Sequence, residues 1–151
     1  MRIIEPSTTA DFYSYYDLRW RILRAPWDQP RGSERDVQDA DSTHLMLVNS
    51  TGRALAVGRL HFNSIREAQI RYMAVEVDYR RSGLGTRLLT ALEHRARALG
   101  AARIVLDARE TALGFYRKRG YAIDGSGHML FNRIAHVRMS KRLGGEPAQG
   151  R

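Results

Sequence analysis

The stretch Arg80-Arg81-Ser82-Gly83-Leu84-Gly85-Thr86 sets two glycines one residue apart, behind two guanidinium side chains and ahead of a helix-forming run that stops at Gly100. The first backbone N–H groups of a helix have no intrahelical acceptor and lie at the positive end of its dipole. Glycine removes the Cβ atoms that would keep an anion away from them. The stretch therefore reads as a phosphate cradle. Two familiar cradles fail on residues. A nucleoside-triphosphate loop needs Gly-x-x-x-x-Gly-Lys-Ser/Thr, and no lysine stands here. A dinucleotide fingerprint needs a third glycine three residues after Gly85, where this chain has Leu88.

The cradle has to be carried by a fold, and the hydrophobic pattern outlines one. Arg2–Glu5 reads as a short strand ended by Pro6, followed by an amphipathic helix that Ser7 or Thr8 can cap. Phe12, Tyr15, Tyr16, Leu18, Ile22 and Leu23 are its candidate buried positions. A polar, turn-rich connection follows, with a short helix expected from Ser33. Residues 44–49, 54–63 and 68–77 read as an antiparallel meander, with Gly52 in the first turn supplying positive φ. After the cradle, Leu84, Leu88, Leu89, Leu92, Ala96 and Leu99 form one apolar stripe. Residues 102–108 are a continuous apolar run, the mark of a central strand. A short helix closed by Gly120 and two more strands, 121–132 and 134–143, complete the chain. The expected class is α/β (α+β), a mixed, mostly antiparallel sheet of six to seven strands with helices on both faces. Its order is β-α-(α)-β-β-β-α-β-α-β-β. Residues 1–143 are expected to form a single domain and residues 144–151 a flexible tail.

At this point the chain resembles the GNAT superfamily of N-acetyltransferases. Arg80 to Gly85 match the pattern [QR]-x-x-G-x-[GA], and Phe115-Tyr116-Arg117-Lys118-Arg119-Gly120-Tyr121 match the family's downstream F-Y-x-K-x-G-[FY] segment. The resemblance implies the fold just described, with acetyl-CoA as cosubstrate. It implies that amides from Arg81 to Thr86, through Ser82, Gly83, Leu84 and Gly85 and with Arg80 beside them, hold the pyrophosphate. It also implies that the Met73-Ala74-Val75 backbone pairs with the pantetheine arm, and that the acetyl group passes directly to an amine in a ternary complex. Tyr116 matches the tyrosine that such enzymes place at the thioester sulfur as general acid. Where relatives carry an asparagine ahead of Ala112, this chain has Arg109, which can reach a phosphate or an acidic group of the acceptor instead.

Deprotonating the acceptor is a separate problem, because a lysine-type ammonium with a pKa near 10.4 costs roughly 4–5 kcal/mol to neutralise at pH 7. Histone-type relatives set a glutamate on the central strand for this; here that position is Gln69, which cannot accept a proton. Glu67 acting through a water and His61 are the candidate bases, with His136 a further histidine of suitable ordinary pKa. An α-amine near 7.7–8.0 would need little help. Trp20, Trp27, Arg24 and Glu34 are candidate acceptor walls, with Asp28 and Asp36 able to attract a cationic amine.

Composition narrows the setting. With no cysteine, thiolate chemistry and thiolate metal sites are excluded, and no metal site is expected. No apolar run approaches the ~18 residues of a membrane span, and the N-terminus is too short in apolar residues for a signal peptide, so a cytoplasmic address is expected. The net charge of +9 comes from 23 arginines and two lysines scattered along the chain rather than gathered in a block. Nucleic acid is accordingly not the expected partner. Acetyl-CoA and an amine acceptor are, with a homodimer open to the chain. A non-catalytic acyl-CoA-binding module and an acetyltransferase acting on a nucleic-acid-linked amine are the alternatives.

Overall fold

A computed structural model describes residues 1–130 and 134–144. The expected tail lies outside the described residues from residue 145 onward, as do Phe131 and Asn132 at the end of the expected sixth strand. The chain runs β1 (Arg2–Ile4), α1 (Thr9–Leu23), β2 (Thr43–Val48), β3 (Ala54–Phe62), β4 (Glu67–Val75), α2 (Leu84–Ala98), β5 (Arg103–Arg109), α3 (Leu113–Lys118), β6 (Ala122–Leu130) and β7 (Ile134–Arg142). The strands form one hydrogen-bonded sheet in the order β1-β2-β3-β4-β5-β7-β6, the expected α/β arrangement with seven strands. The short helix expected from Ser33 is instead a 3₁₀ turn, Val37–Asp41. There the Asp36 and Asp39 carboxylates fold back onto backbone N–H groups, the competition with helix that aspartate characteristically offers. The chain divides into two compact units, Met1–His61 with Ile70–Arg95, and Phe62–Gln69 with the chain from Ala96 onward.

In the first unit, α1 begins at a capping box: Thr8 Oγ1 accepts from the Asp11 N–H at 3.0 Å, and the Asp11 carboxylate accepts from the Thr8 N–H at 3.3 Å. Tyr15 and Leu18 pack against Met46, Val48, Ala54, Val57 and Ala74 in a fully apolar core. β2 and β3 pair antiparallel and are buried along nearly their whole length, including the polar side chains of His44, Arg59 and His61. Leu84, Leu88, Leu89 and Leu92 of α2 are buried, each contributing roughly 1.5–3 kcal/mol. Leu99, expected on the same stripe, is 53% exposed, because the helix ends just before it. Gly58 permits the close approach of α2 to β3: a Cβ there would stand 2.8 Å from Leu92 Cδ1 and 3.2 Å from Met73 Cγ.

In the second unit, Glu67–Gln69 of β4 run parallel to Arg103–Val105 of β5, and β5 pairs antiparallel with β7 along its whole length. Ile104, Val105, Leu106, Met139 and Tyr121 fill this core. Gly100, at φ +100°, ends α2 as expected, and Ala102 N–H ties the turn back to the Arg66 carbonyl at 2.7 Å.

The sequence pattern did not anticipate the polar interior of the first unit. Arg19 and Arg59 are both fully buried and share Asp39 Oδ1, at 2.9 and 3.3 Å. Asp39 is held below the usual carboxylate range by these guanidiniums against the opposing effect of its burial. Arg19 NH2 also donates to Tyr15 Oη at 3.0 Å, and Tyr15 Oη stands 2.7 Å from His44 Nδ1. His44 Nε2 faces the Asp39 carbonyl at 2.8 Å and must carry the proton, which leaves Nδ1 to accept from the tyrosine. Burial, and after it the two nearby arginines, lower the pKa of His44.

This arrangement predicts an acid-side stability limb. The unfolded chain protonates His44 near 6.5 and the folded one only lower, so the unfolded state binds more protons and stability falls as pH drops below about 6.5. Denaturant midpoints measured from pH 7.5 to 5 should show this decline, with His44→Gln flattening it; an equal slope in the variant would contradict the assignment.

Candidate functional site

The cradle expected at residues 80–86 lies in the first unit and has a defined backbone path. A 3₁₀ turn, Val77–Tyr79, follows β4, and Arg80 leaves it extended. Arg81 then takes φ +67° and Gly83 φ +87°, both left-handed. The Arg87 N–H donates to the Gly83 carbonyl at 3.0 Å, the first helical bond of α2. Among the described residues no backbone carbonyl accepts from the N–H groups of Arg81, Gly83, Leu84 or Gly85. A Cβ added at Gly83 would meet nothing within 4 Å, so this glycine serves backbone conformation and open access rather than close packing. Ser82 Oγ donates to the Tyr79 carbonyl, which orients the serine within the turn. The arrangement can hold a diphosphate: unbonded amides, a helix N-terminus and the Arg80 and Arg81 side chains converge in sequence and carry no competing carboxylate on the turn itself.

What fixes the start of this turn is Glu76, a residue the sequence reading passed over. It is 6% exposed. Arg21 grips its carboxylate with both terminal nitrogens, at 3.1 and 3.0 Å; Arg53 joins from the turn just before β3, and Val77 N–H donates to it at 3.2 Å. The hydrogen bonds from Arg21, first among several causes, lower the Glu76 pKa. Its backbone N–H donates to the Leu55 carbonyl at 2.8 Å. The end of β4 is thus pinned to α1 and β3 just where the turn departs.

Met73, Ala74 and Val75, the expected backbone partners of an extended arm, directly follow an irregularity in β4. Tyr72 has φ +58°, rare for a tyrosine and costing on the order of 1–2 kcal/mol. Its ring offsets this strain by collecting four guanidiniums, those of Arg19, Arg59, Arg71 and Arg24, at 4.3, 4.9, 4.7 and 5.5 Å from its centroid. Its hydroxyl donates to Asp36 Oδ2 at 3.3 Å.

In the second unit, Tyr116 sits in α3, edge-on to Phe115 and Tyr121 at centroid distances of 5.1 and 5.7 Å. Burial pushes its hydroxyl pKa up to about 12. Arg109 ends β5 and caps the 3₁₀ turn Glu110–Ala112 that leads into α3. Glu67 is ion-paired with Arg103 at 3.1 Å, while Gln69 Oε1 accepts from Asn63 Nδ2 at 3.0 Å. His136 Nδ1 lies 3.1 Å from the Ile134 carbonyl. In the first unit, His61 is buried, with Nδ1 3.3 Å from Arg59 NH2; a guanidinium only donates, so that lone pair is occupied.

The residues expected to wall an acceptor turn largely to holding their own segment. Trp20 Nε1 donates to the Gln29 carbonyl at 3.0 Å and carries Arg31 over its ring at 4.1 Å. Arg24 is buried and donates to the Ser33 and Leu23 carbonyls; burial lowers its pKa. The Glu34 carboxylate accepts from the Gly32 N–H at 2.8 Å. Trp27 belongs to the 3₁₀ turn Ala25–Trp27, and Asp28 follows it at φ +56°. Of this set only Asp36 lines a cavity of about 560 Å³ in the first unit, beside Phe12, Tyr16, Arg35, Asp39 and His44. Among the described residues no group of acidic or histidine side chains is arranged for a metal ion.

Known proteins bear on this arrangement. The model of the acetyltransferase (GNAT) family matches residues 12–121. The uncharacterized protein YyaT of Bacillus subtilis is 32% identical over 154 residues, covering 95% of this chain and 97% of its own. The uncharacterized N-acetyltransferase YjcF of the same organism is 27% identical over 124 residues, covering 82% and 87%. A solved aminoglycoside 6'-N-acetyltransferase in complex with coenzyme A superposes with a TM-score of 0.80 at 19% identity, covering 98% of this chain and 100% of that one. An acyl-CoA N-acyltransferase from Pseudomonas aeruginosa does so with a TM-score of 0.77 at 22% identity, covering 93% and 97%. At these identities the two structures show a shared fold.

The turn's conformation can be tested without any ligand. Gly83→Ala places a side chain at φ +87° and should cost about 1 kcal/mol, although nothing would collide with it. Arg81→Gly relieves the left-handed arginine and should gain about 0.5–1 kcal/mol. Urea denaturation of both variants checks the pair of opposite signs.

Proposed function

Since the chain belongs to the GNAT family of acetyltransferases, we propose that it moves an acetyl group from acetyl-CoA directly onto an amine of a small molecule or protein, in a ternary complex. The chain is an acyltransferase, and acetyl-CoA is its family's acyl donor. The observation that carries the finer reading is the left-handed turn at Arg81 and Gly83, opening onto the unbonded amides of Gly83, Leu84 and Gly85. These amides, with those of Ser82 and Thr86 and the side chains of Arg80 and Arg81, would bind the diphosphate, and the Met73–Val75 backbone would bind the pantetheine arm. Arg109 would add a cation toward the donor. Bound acetyl-CoA supplies the activated acyl carbon and a thiolate leaving group.

Tyr116 is the residue of this chain that would face that leaving group. A phenol near 12 stays protonated at every working pH, but surrendering its proton outright to a thiolate near 8.5 would be uphill by on the order of 5 kcal/mol. Its contribution is then a hydrogen bond that strengthens as charge gathers on sulfur. The proton shed by the acceptor nitrogen finally neutralises the sulfur.

Two measurements test this. In a thermal-shift panel, acetyl-CoA and CoA should raise Tm, by the equivalent of ~2.7 kcal/mol at 100 times Kd, while NAD and ATP leave it unchanged. Tyr116→Phe should lower kcat about ten-fold or more with the KM for acetyl-CoA near wild type; an unchanged kcat would remove the tyrosine from the mechanism.

A further inference from the structure

Asn63, just past β3, places Nδ2 2.9 Å from Glu67 Oε2 and 3.0 Å from Gln69 Oε1. Glu67 is itself held by Arg103 Nε at 3.1 Å, and Arg103 reaches on to Asp124 at 3.0 Å. A carboxylate in an ion pair only accepts, so the edge of Asn63 that faces it must be the NH2 group. That same nitrogen faces Gln69, which must therefore answer with its carbonyl oxygen. Gln69 is left with its own NH2 turned outward. The side chain is 9% exposed, no acceptor for Nε2 stands among the described residues, and the nitrogen keeps an accessible edge. A relay of charge and amides has fixed a hydrogen-bond donor where the family resemblance would set a proton acceptor.

We infer that Gln69 Nε2–H binds an oxygen of the acceptor, that Asn63 is its positioning residue, and that the acceptor is an α-amine flanked by a carbonyl, as in amino acids and peptide N-termini. The inference rests on the N-acetyltransferase reading. An amide takes no proton, so the reacting nitrogen must arrive neutral by its own ionisation. An α-amine near 7.7–8.0 has roughly a tenth or more of its molecules neutral at pH 7, and an ε-amine near 10.4 well under a thousandth. The carbonyl beside an α-amine also supplies the oxygen that the Gln69 donor seeks. In the transfer the N–C bond forms, the C–S bond breaks, and the proton leaving nitrogen takes the place of the acetyl group on sulfur.

The test follows CoA release by the full chain from acetyl-CoA, with alanyl-glycine and with Nα-acetyl-lysine, between pH 6 and 9.5. The dipeptide should lead at pH 7 by on the order of 100-fold in kcat/KM, with one limb that moves with the acceptor's own pKa. Gln69→Met should raise the dipeptide's KM about ten-fold, and so should Asn63→Asp, which reverses the amide order. Both should keep the KM for acetyl-CoA and Tm near wild type, a split that loosened packing would not produce. Equal use of the lysine analogue at pH 7, or an unchanged dipeptide KM in both variants, overturns the inference while leaving acetyl transfer standing. Absence of any thermal shift with acetyl-CoA overturns both.

Discussion

A helix N-terminus that keeps its amides unspent is the feature on which the proposed acetyl transfer depends. The dipole and the free N–H groups of α2 come with any helix; what is particular here is that, among the described residues, no backbone carbonyl takes the N–H groups of Gly83, Leu84 and Gly85. Two left-handed residues, Arg81 and Gly83, turn the chain so that Gly83, Leu84 and Gly85 open their N–H groups together. One of the two is an arginine, so the conformation carries strain that glycine would have avoided. Such strain persists only when both ends of the turn are held. Glu76 holds one end through Arg21 and Arg53, and the buried leucines of α2 hold the other.

The same logic explains why so much charge lies inside the first unit. Burying Arg19 and Arg59 is costly unless carboxylates and hydrogen bonds repay the lost hydration. Asp36 and Asp39 supply them, and the price of closing that network is that Val37–Asp41 cannot be an α-helix. Tyr72 sits among the guanidiniums as a shared π-face, which helps hold its left-handed backbone directly before Met73. The arginine richness that composition alone left ambiguous is, for at least these four side chains, structural.

Much of the fold was legible because local signals agreed with one another. The Ser7/Thr8 cap, the Leu84–Leu92 stripe and the stops at Gly100 and Gly120 each placed an element within a residue or two. The strands β2 and β3 of the meander and the buried run of β5 were equally plain. What escaped were features made by partners distant in sequence. Arg19 looked like one more solvated cation on an amphipathic helix, and only Asp39, twenty residues on, makes its burial tolerable. Glu76 was passed over, because its charged partners are Arg21 of α1 and Arg53 in the turn before β3. That a turn opens α2 was readable from the paired glycines; the relay from Arg103 through Glu67 and Asn63 to Gln69 was not, because an amide's orientation is decided by its neighbours and not by its type.

The most direct examination of the central claim is residue-resolved: ¹H–¹⁵N spectra of the protein titrated with CoA and, separately, with pantetheine, which lacks the diphosphate. The account predicts that the Gly83, Leu84 and Gly85 amide resonances move strongly with CoA and hardly at all with pantetheine. Resonances that stay in place with CoA while others shift would show that the helix N-terminus is not where the diphosphate is held.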